Sequence, residues 1–242
     1  IHVAAHPCVG HAFIREFTDF PGSVAECVLQ HHERVDGSGY PFRLAGEQIS
    51  PFSTLIGLAD TVAAIIMRSD GNSNVIGERV AMALHSVPGE FPRATVASIN
   101  HLLEALNGGT PPKASGTFAE RILPTLQQIR SARLMAETLS GSSTTPDQTA
   151  IGEYALSTVR CIDKGLRATG VYDLSQLNVL EHNATAMGKI CLMLDEVGWR
   201  LRNLARCLQL RAAQGEDALV PAAVAELVKV LNAPATAGST AR

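Results

Sequence analysis

An excess of charge of one sign is missing from this sequence. Lysine and arginine number 20 against 23 aspartates and glutamates in 242 residues, a net of −3, so no global positive field draws the chain to nucleic acid or to an anionic membrane. No nucleic-acid polymer is expected as a partner, and any phosphate chemistry must be local. Long apolar runs are missing too. The most apolar stretch, Leu55 to Met67, is interrupted by Asp60 and falls short of the roughly 18 residues a membrane crossing needs, which predicts no membrane span. Paired cysteines are absent: Cys8, Cys27, Cys161, Cys191 and Cys207 are odd in number, far apart and without a Cys-x-x-Cys pair. That fits reduced thiols in the cytoplasm better than a disulfide or zinc framework. Aromatic residues make up only 5%, yet 46% of the chain is apolar, enough to bury one large core or two modest ones and to exclude a disordered chain. An initiator methionine is lacking, since the sequence opens at Ile1, and no targeting signal is legible.

Sustained alternation of apolar and polar residues is also missing, whereas apolar residues recur at helical spacing almost throughout, so an all-α fold is expected. The spacing predicts helices over 6–17 and 23–33, a loop over 36–48 broken by Gly37, Gly39, Pro41 and Gly46, and a helix from Pro51 to about Arg68 with Ser50 as its N-cap. Shorter helices are expected over 77–85 and from Pro92 to about Leu106. Breakers over 107–116 mark a linker between a first domain, 1–106, and a helical bundle, 117–232, with helices over 118–139, 148–168, 175–214 and 218–231 and a flexible tail over 233–242. Arg200, Arg202, Arg206 and Arg211 cluster toward the end of the longest of these and read as solvated charges favoured near a helix C-terminus. By analogy with other bundles joined to a second domain, this one is expected to regulate or to form a homodimer.

What the sequence does contain is histidine at one end. His2, His6, His11, His31 and His32 are five of the eight. The run His31, His32, Glu33, Arg34, Val35, Asp36 places two imidazoles and two carboxylates at a helix end, directly before a glycine-rich loop. Neighbouring residues on a helix point about 100° apart, so His31 and His32 are expected to ligate two different ions, or one ion and a substrate, rather than to chelate a single ion. Asp60 lies on a helix with Leu55, Ile56, Leu58, Val62, Ile66 and Met67 on nearly every face, so its carboxylate is expected to be buried. A metal ion would stabilise it there, as would a hydrogen bond to backbone or arginine. His2, His11, His85, His101 and His182 read as packing or surface residues.

The run His31 to Pro41 resembles the signature of the HD-GYP family of metal-dependent phosphohydrolases, His-His-Glu, two residues, Asp-Gly, one residue, Gly-Tyr-Pro, and matches it at every specified position. His6-Pro7 with Gly10 resembles the family's isolated His-Pro ligand helix, Leu44 to Ile49 its loop after the signature, and Leu58-Ala59-Asp60 its late metal-binding aspartate; the later Phe91-Pro92 resembles its closing helix. The resemblance covers residues 1 to 106. It implies an HD-type helical domain holding two or three divalent transition metals, Fe or Mn, that hydrolyses the bacterial second messenger cyclic di-GMP to pGpG or GMP. His6, His31, His32 and Asp60 would be its metal ligands. Asp36, Gly37, Gly39, Tyr40 and Pro41 would shape the loop beside the site and a surface for a signalling-protein partner, and Arg68 is the one cation near the late aspartate. The family's His-Asp pair would stand upstream of His6, beyond the start of this sequence, and the basic, tyrosine-containing segment after the late aspartate is replaced by Met67 to Asn72. The expectation is therefore an active parent protein of which these residues, taken alone, are inactive. The alternative is a non-catalytic module that kept the Gly-Tyr-Pro surface for protein interaction.

Overall fold

The computed structural model describes residues 2–68, 76–87, 89–104, 118–141, 145–173, 183–214 and 220–233. The expected linker over 107–116, the stretch 69–75, the start of the long helix before residue 183, His182 and the tail after Ala233 lie outside them. The chain forms two compact units, one of Ile1–Leu84 with Pro88–Gly109 and one of His85–Val87 with Thr110–Arg242. Among the described residues every regular element is helical, and Asp36 and Ala45 make an isolated antiparallel bridge.

The first unit is built from α1 (His2–Phe17), α2 (Gly22–Gln30), α3 (Pro51–Arg68), α4 (Ile76–Ser86) and α5 (Arg93–Glu104), with a short 3-10 turn at Gly46–Gln48. Ser50 caps α3 as expected: its Oγ accepts the backbone N–H of Ser53 at 3.2 Å, and Pro51 occupies the first helical position. The buried positions of α3, namely Ser53, Thr54, Gly57, Leu58, Thr61 and Ile65, follow the three-and-four spacing of one helical stripe. Leu58 and Ile65 are fully buried and join Val80, Ala83, Leu84, Phe91 and Leu103 in the unit's core. The opposite side of α3 carries Phe52, Leu55, Ile56, Ile66 and Met67, all exposed. By length and composition alone α3 is apolar enough to cross a membrane, which the reading of its apolar run as broken by Asp60 does not bring out.

The second unit packs α6 (Phe118–Gly141), α7 (Pro146–Ala168), α8 (Ala184–Gln214) and α9 (Val220–Asn232) against one another. Helix α7 starts two residues earlier than its apolar pattern predicts because Thr145 is the N-cap, its side chain accepting from the Gln148 N–H, with Pro146 after it. Gly152 lies where a Cβ would come 2.5 Å from the Ser140 nitrogen, so α7 meets the end of α6 at backbone distance. The amide nitrogen of Gln128 lies 2.9, 3.2 and 2.9 Å from the carbonyl oxygens of Val230, Leu231 and Ala233. A side chain of α6 thus caps the open C-terminal end of α9. Arg200 departs from the expected set of solvated arginines: it is buried, with its Nε 3.5 Å from the equally buried Glu196, because its position on α8 falls on the core-facing stripe beside Val197, Leu201 and Leu204. Arg202 and Arg206 are exposed, and Arg211 lies over the Tyr154 ring at 3.7 Å.

Candidate metal centre

Three elements converge at the C-terminal end of α2. Helix α1 brings His6, the turn after α2 brings His31 and His32, and α3 brings Asp60. Each of His6, His31 and His32 offers a nitrogen within 4.8 Å of the others. Three imidazoles around one tetrahedral ion, at the roughly 2.1 Å typical of a first-row metal, stand about 3.4 Å from one another, so a closure of about 1.4 Å at most would seat a single ion among them. Among the described residues no other group of this kind occurs, and His11, His85 and His101 belong to none.

The hydrogen bonds favour the same use. The Nδ1 of His31 lies 2.6 Å from the Val28 carbonyl. A carbonyl only accepts, so this nitrogen carries the proton and Nε2 is left with its lone pair. That lone pair lies 3.1 Å from Nε2 of His6. Protein groups that hold a histidine's far nitrogen in this way orient the near one toward a metal. Burial, joined by the positive charge His31, Arg34 and His6 would carry, depresses the His32 pKa to about 3. Burial also lowers His31, against the opposing pull of the Val28 carbonyl. Both rings are therefore neutral near pH 7, the state in which imidazole ligates.

Two expectations are corrected. Adjacent histidines were expected to diverge on a helix that continued to residue 33. Instead α2 ends at Gln30, His31 is its C-cap and His32 lies in the turn beyond. Off the helix the two rings come to a 4.0 Å centroid separation and both face His6, so they converge on one position. Asp60 is not a buried acid: its side chain is 51% exposed, because the face of α3 that carries it is not covered within the unit. What places it at the site is position, its Oδ2 standing 3.9 Å from Nδ1 of His32.

The turn is held by residues whose part does not show in their spacing. Arg34 donates to the carbonyls of His31 and Glu33 at 3.1 and 2.9 Å and to the Thr61 hydroxyl at 3.3 Å, and its guanidinium lies 4.7 Å over the Phe91 ring. Gln30 accepts the Ser50 N–H, fastening the end of α2 to the start of α3. Glu33 is buried, and its two carboxylate oxygens accept the N–H groups of Phe42 and Leu44 at 2.7 and 3.0 Å. Burial raises its pKa even though these N–H groups pull the other way. The backbones also touch. A Cβ on Gly39 would come 2.4 Å from the Glu33 Cα, and one on Gly57 would come 2.3 Å from the His31 oxygen.

The remaining site candidates divide by place. Tyr40 stacks on His32, ring centroids 4.7 Å apart, and Pro41 follows it through a cis peptide. Asp36 is exposed and accepts the Ser38 N–H at 2.9 Å; with Gly37 at positive φ it shapes the loop and is not in the imidazole group. Arg68 lies eight residues beyond Asp60, about 12 Å along the helix axis, and its Nε donates to the Ala64 carbonyl. The structure does not bring it to the histidines.

Comparison with known proteins bears on this same part of the chain. Residues 3–84 match the family described as the HD domain. A cyclic di-GMP phosphodiesterase of Pseudomonas aeruginosa is 40% identical over 63 residues, which are 26% of this chain and 15% of that protein. No solved structure matches the chain.

Proposed function

We propose, from the match of residues 3–84 to the HD domain, that the protein is a metal-dependent phosphodiesterase acting on cyclic di-GMP in the cytoplasm, yielding pGpG or GMP. The observation that carries this reading is the convergence of three imidazole nitrogens within 4.8 Å at a helix end beside the 36–48 loop. His6, His31 and His32 would hold a divalent ion such as Mn or Fe, with Asp60 as the nearby carboxylate. When bound, such an ion supplies a hydroxide near neutral pH and offsets the charge of the phosphodiester oxygens. The chain's own residues do the positioning. His31 is oriented through Val28, Tyr40 lies flat against His32 and limits its rotation, and Arg34 ties the turn to α3. Asp36, Gly37, Gly39, Tyr40 and Pro41 form the wall against which the substrate would lie. One carboxylate and three imidazoles are few for two closely spaced metals, so residues 1–242 alone are expected to turn over little substrate. Residues 1–106 are proposed as the hydrolase portion and 117–232 as an accessory bundle.

The test is expression of the complete reading frame with Mn or Fe, with cyclic di-GMP followed by chromatography beside His32→Ala. Substrate loss that vanishes with His32→Ala supports the reading; intact substrate over a protein shown to hold metal refutes it. A second reading, a non-catalytic interaction module, draws on Phe42, which is exposed in the loop after Tyr40-Pro41. In that case metal binds, turnover is absent, and Phe42→Ala weakens capture of a signalling partner.

A further inference from the structure

The second unit contains a cavity of about 450 Å³ between α6, α7 and the turn that follows α7. This volume lies within the range of small-molecule sites. Its apolar wall is Leu123, Leu126 and Ile129, and its polar side carries three guanidinium groups, those of Arg130, Arg133 and Arg167. One of the three is already engaged. Arg167 donates to the Asp163 carboxylate at 3.0 Å and lies 4.4 Å over the Tyr172 ring, while the Tyr172 hydroxyl donates to the other oxygen of Asp163. The remaining two stand three residues apart on one face of α6. Arg130 makes no hydrogen bond or ion pair among the described residues. Arg133 has a buried Nε with no hydrogen-bond partner. Its approach to Glu137, at 3.7 Å, is too long for one, and Glu137 is shared with Arg160 at 3.4 Å. The cavity therefore combines a buried Arg133 N–H without a hydrogen-bond partner, the exposed guanidinium of Arg130 and an aliphatic wall.

We propose that this cavity binds a small organic anion, its acidic group seated on Arg130 and Arg133 and its apolar body against Leu123, Leu126 and Ile129. The planar fork of a guanidinium suits the oxygens of phosphate, sulfonate or carboxylate, and the wall selects anions that carry a hydrocarbon or ring over bare ions. The site is independent of the hydrolytic reading of the first unit.

The experiment titrates the whole chain with 8-anilinonaphthalene-1-sulfonate, an aromatic anion that a phosphohydrolase leaves intact, reading fluorescence and calorimetric stoichiometry. Wild type is expected to take up one equivalent at this site. Arg130→Gln with Arg133→Gln is expected to weaken that binding at least tenfold with an unchanged circular dichroism spectrum. Leu123→Glu, at an exposed rim position, should do the same by repulsion and decides the matter if the double variant fails to fold. Phe13→Ser with Phe17→Ser, exposed in the first unit, should leave the tenfold difference intact. Equal binding by wild type and both cavity variants overturns the proposal. So does loss of the signal in the Phe13, Phe17 variant, or displacement of the probe by inorganic phosphate at equal concentration.

Discussion

The two units spend their apolar residues differently. Among the described residues the second has a core of 25 buried hydrophobic side chains, while the first has one of seven. Of the large hydrophobic side chains exposed among the described residues, twelve belong to the first unit and only Leu123 and Leu134 to the second. Yet the first unit contains the histidine cluster and the match to the HD domain. Its order at the site comes from polar groups gripping backbone, through Arg34, Gln30 and Glu33, rather than from the mass of its core. The second unit is held the other way, by core volume. The larger core and the histidine cluster thus lie in separate parts of the chain.

Substitutions can break or sharpen this contrast. The largest effect is expected from Leu201→Ala, fully buried on α8, which should cost about 2–5 kcal/mol in a urea melt; a loss below 1 kcal/mol would mean that the large core is loosely packed. Next come the polar clamps. Gln128→Leu leaves the end of α9 uncapped and Glu33→Gln removes one acceptor from the loop, each at about 1–3 kcal/mol. Amide hydrogen exchange should localise the first to residues near Val230 and the second to Phe42 and Leu44. Glu33→Gln should also weaken metal uptake, and unchanged exchange at Phe42 and Leu44 would refute the clamp.

The pH responses should diverge in direction. His31 and His32 have folded pKa values below the ordinary 6.5, so the unfolded chain takes up protons first; the stability they contribute is present above pH 6.5 and lost as pH falls toward 3. Burial, followed by the hydrogen bond to Asp163, pushes Tyr172 above its ordinary value of 10, so the folded state keeps its proton longer and the second unit loses stability as pH rises past 10. The single tryptophan, Trp199, lies in the second unit, and its fluorescence should report the alkaline loss and not the acid one. The smallest effect is expected at Phe52→Ser, 71% exposed on α3, within about 0.5 kcal/mol; a loss of 2 kcal/mol or more would show that this face is covered.

Local signals made much of the fold legible. Ser50-Pro51 announces the start of α3, and the glycines and Pro41 mark the loop after α2. The resemblance to the HD-GYP signature and its upstream His-Pro helix pointed to His6, His31 and His32, three residues that the structure does bring together. The end of α2 was not legible, because it depends on contacts distant in sequence: Ser50 on Gln30, Thr61 on Arg34, and the bare Cα of Gly57 against the His31 carbonyl. Nor was the exposure of Asp60, since an apolar helix announces that its faces want cover without saying which ones the same unit supplies.

Glu33 holds the loop by the amide hydrogens of residues 42 and 44, a feature every amino acid but proline offers. Phe42 and Leu44 are therefore free to vary in side chain while the backbone path beside the histidines stays the same. Evolution can rewrite what this loop displays without redesigning how it is held, and proline is closed to those two positions.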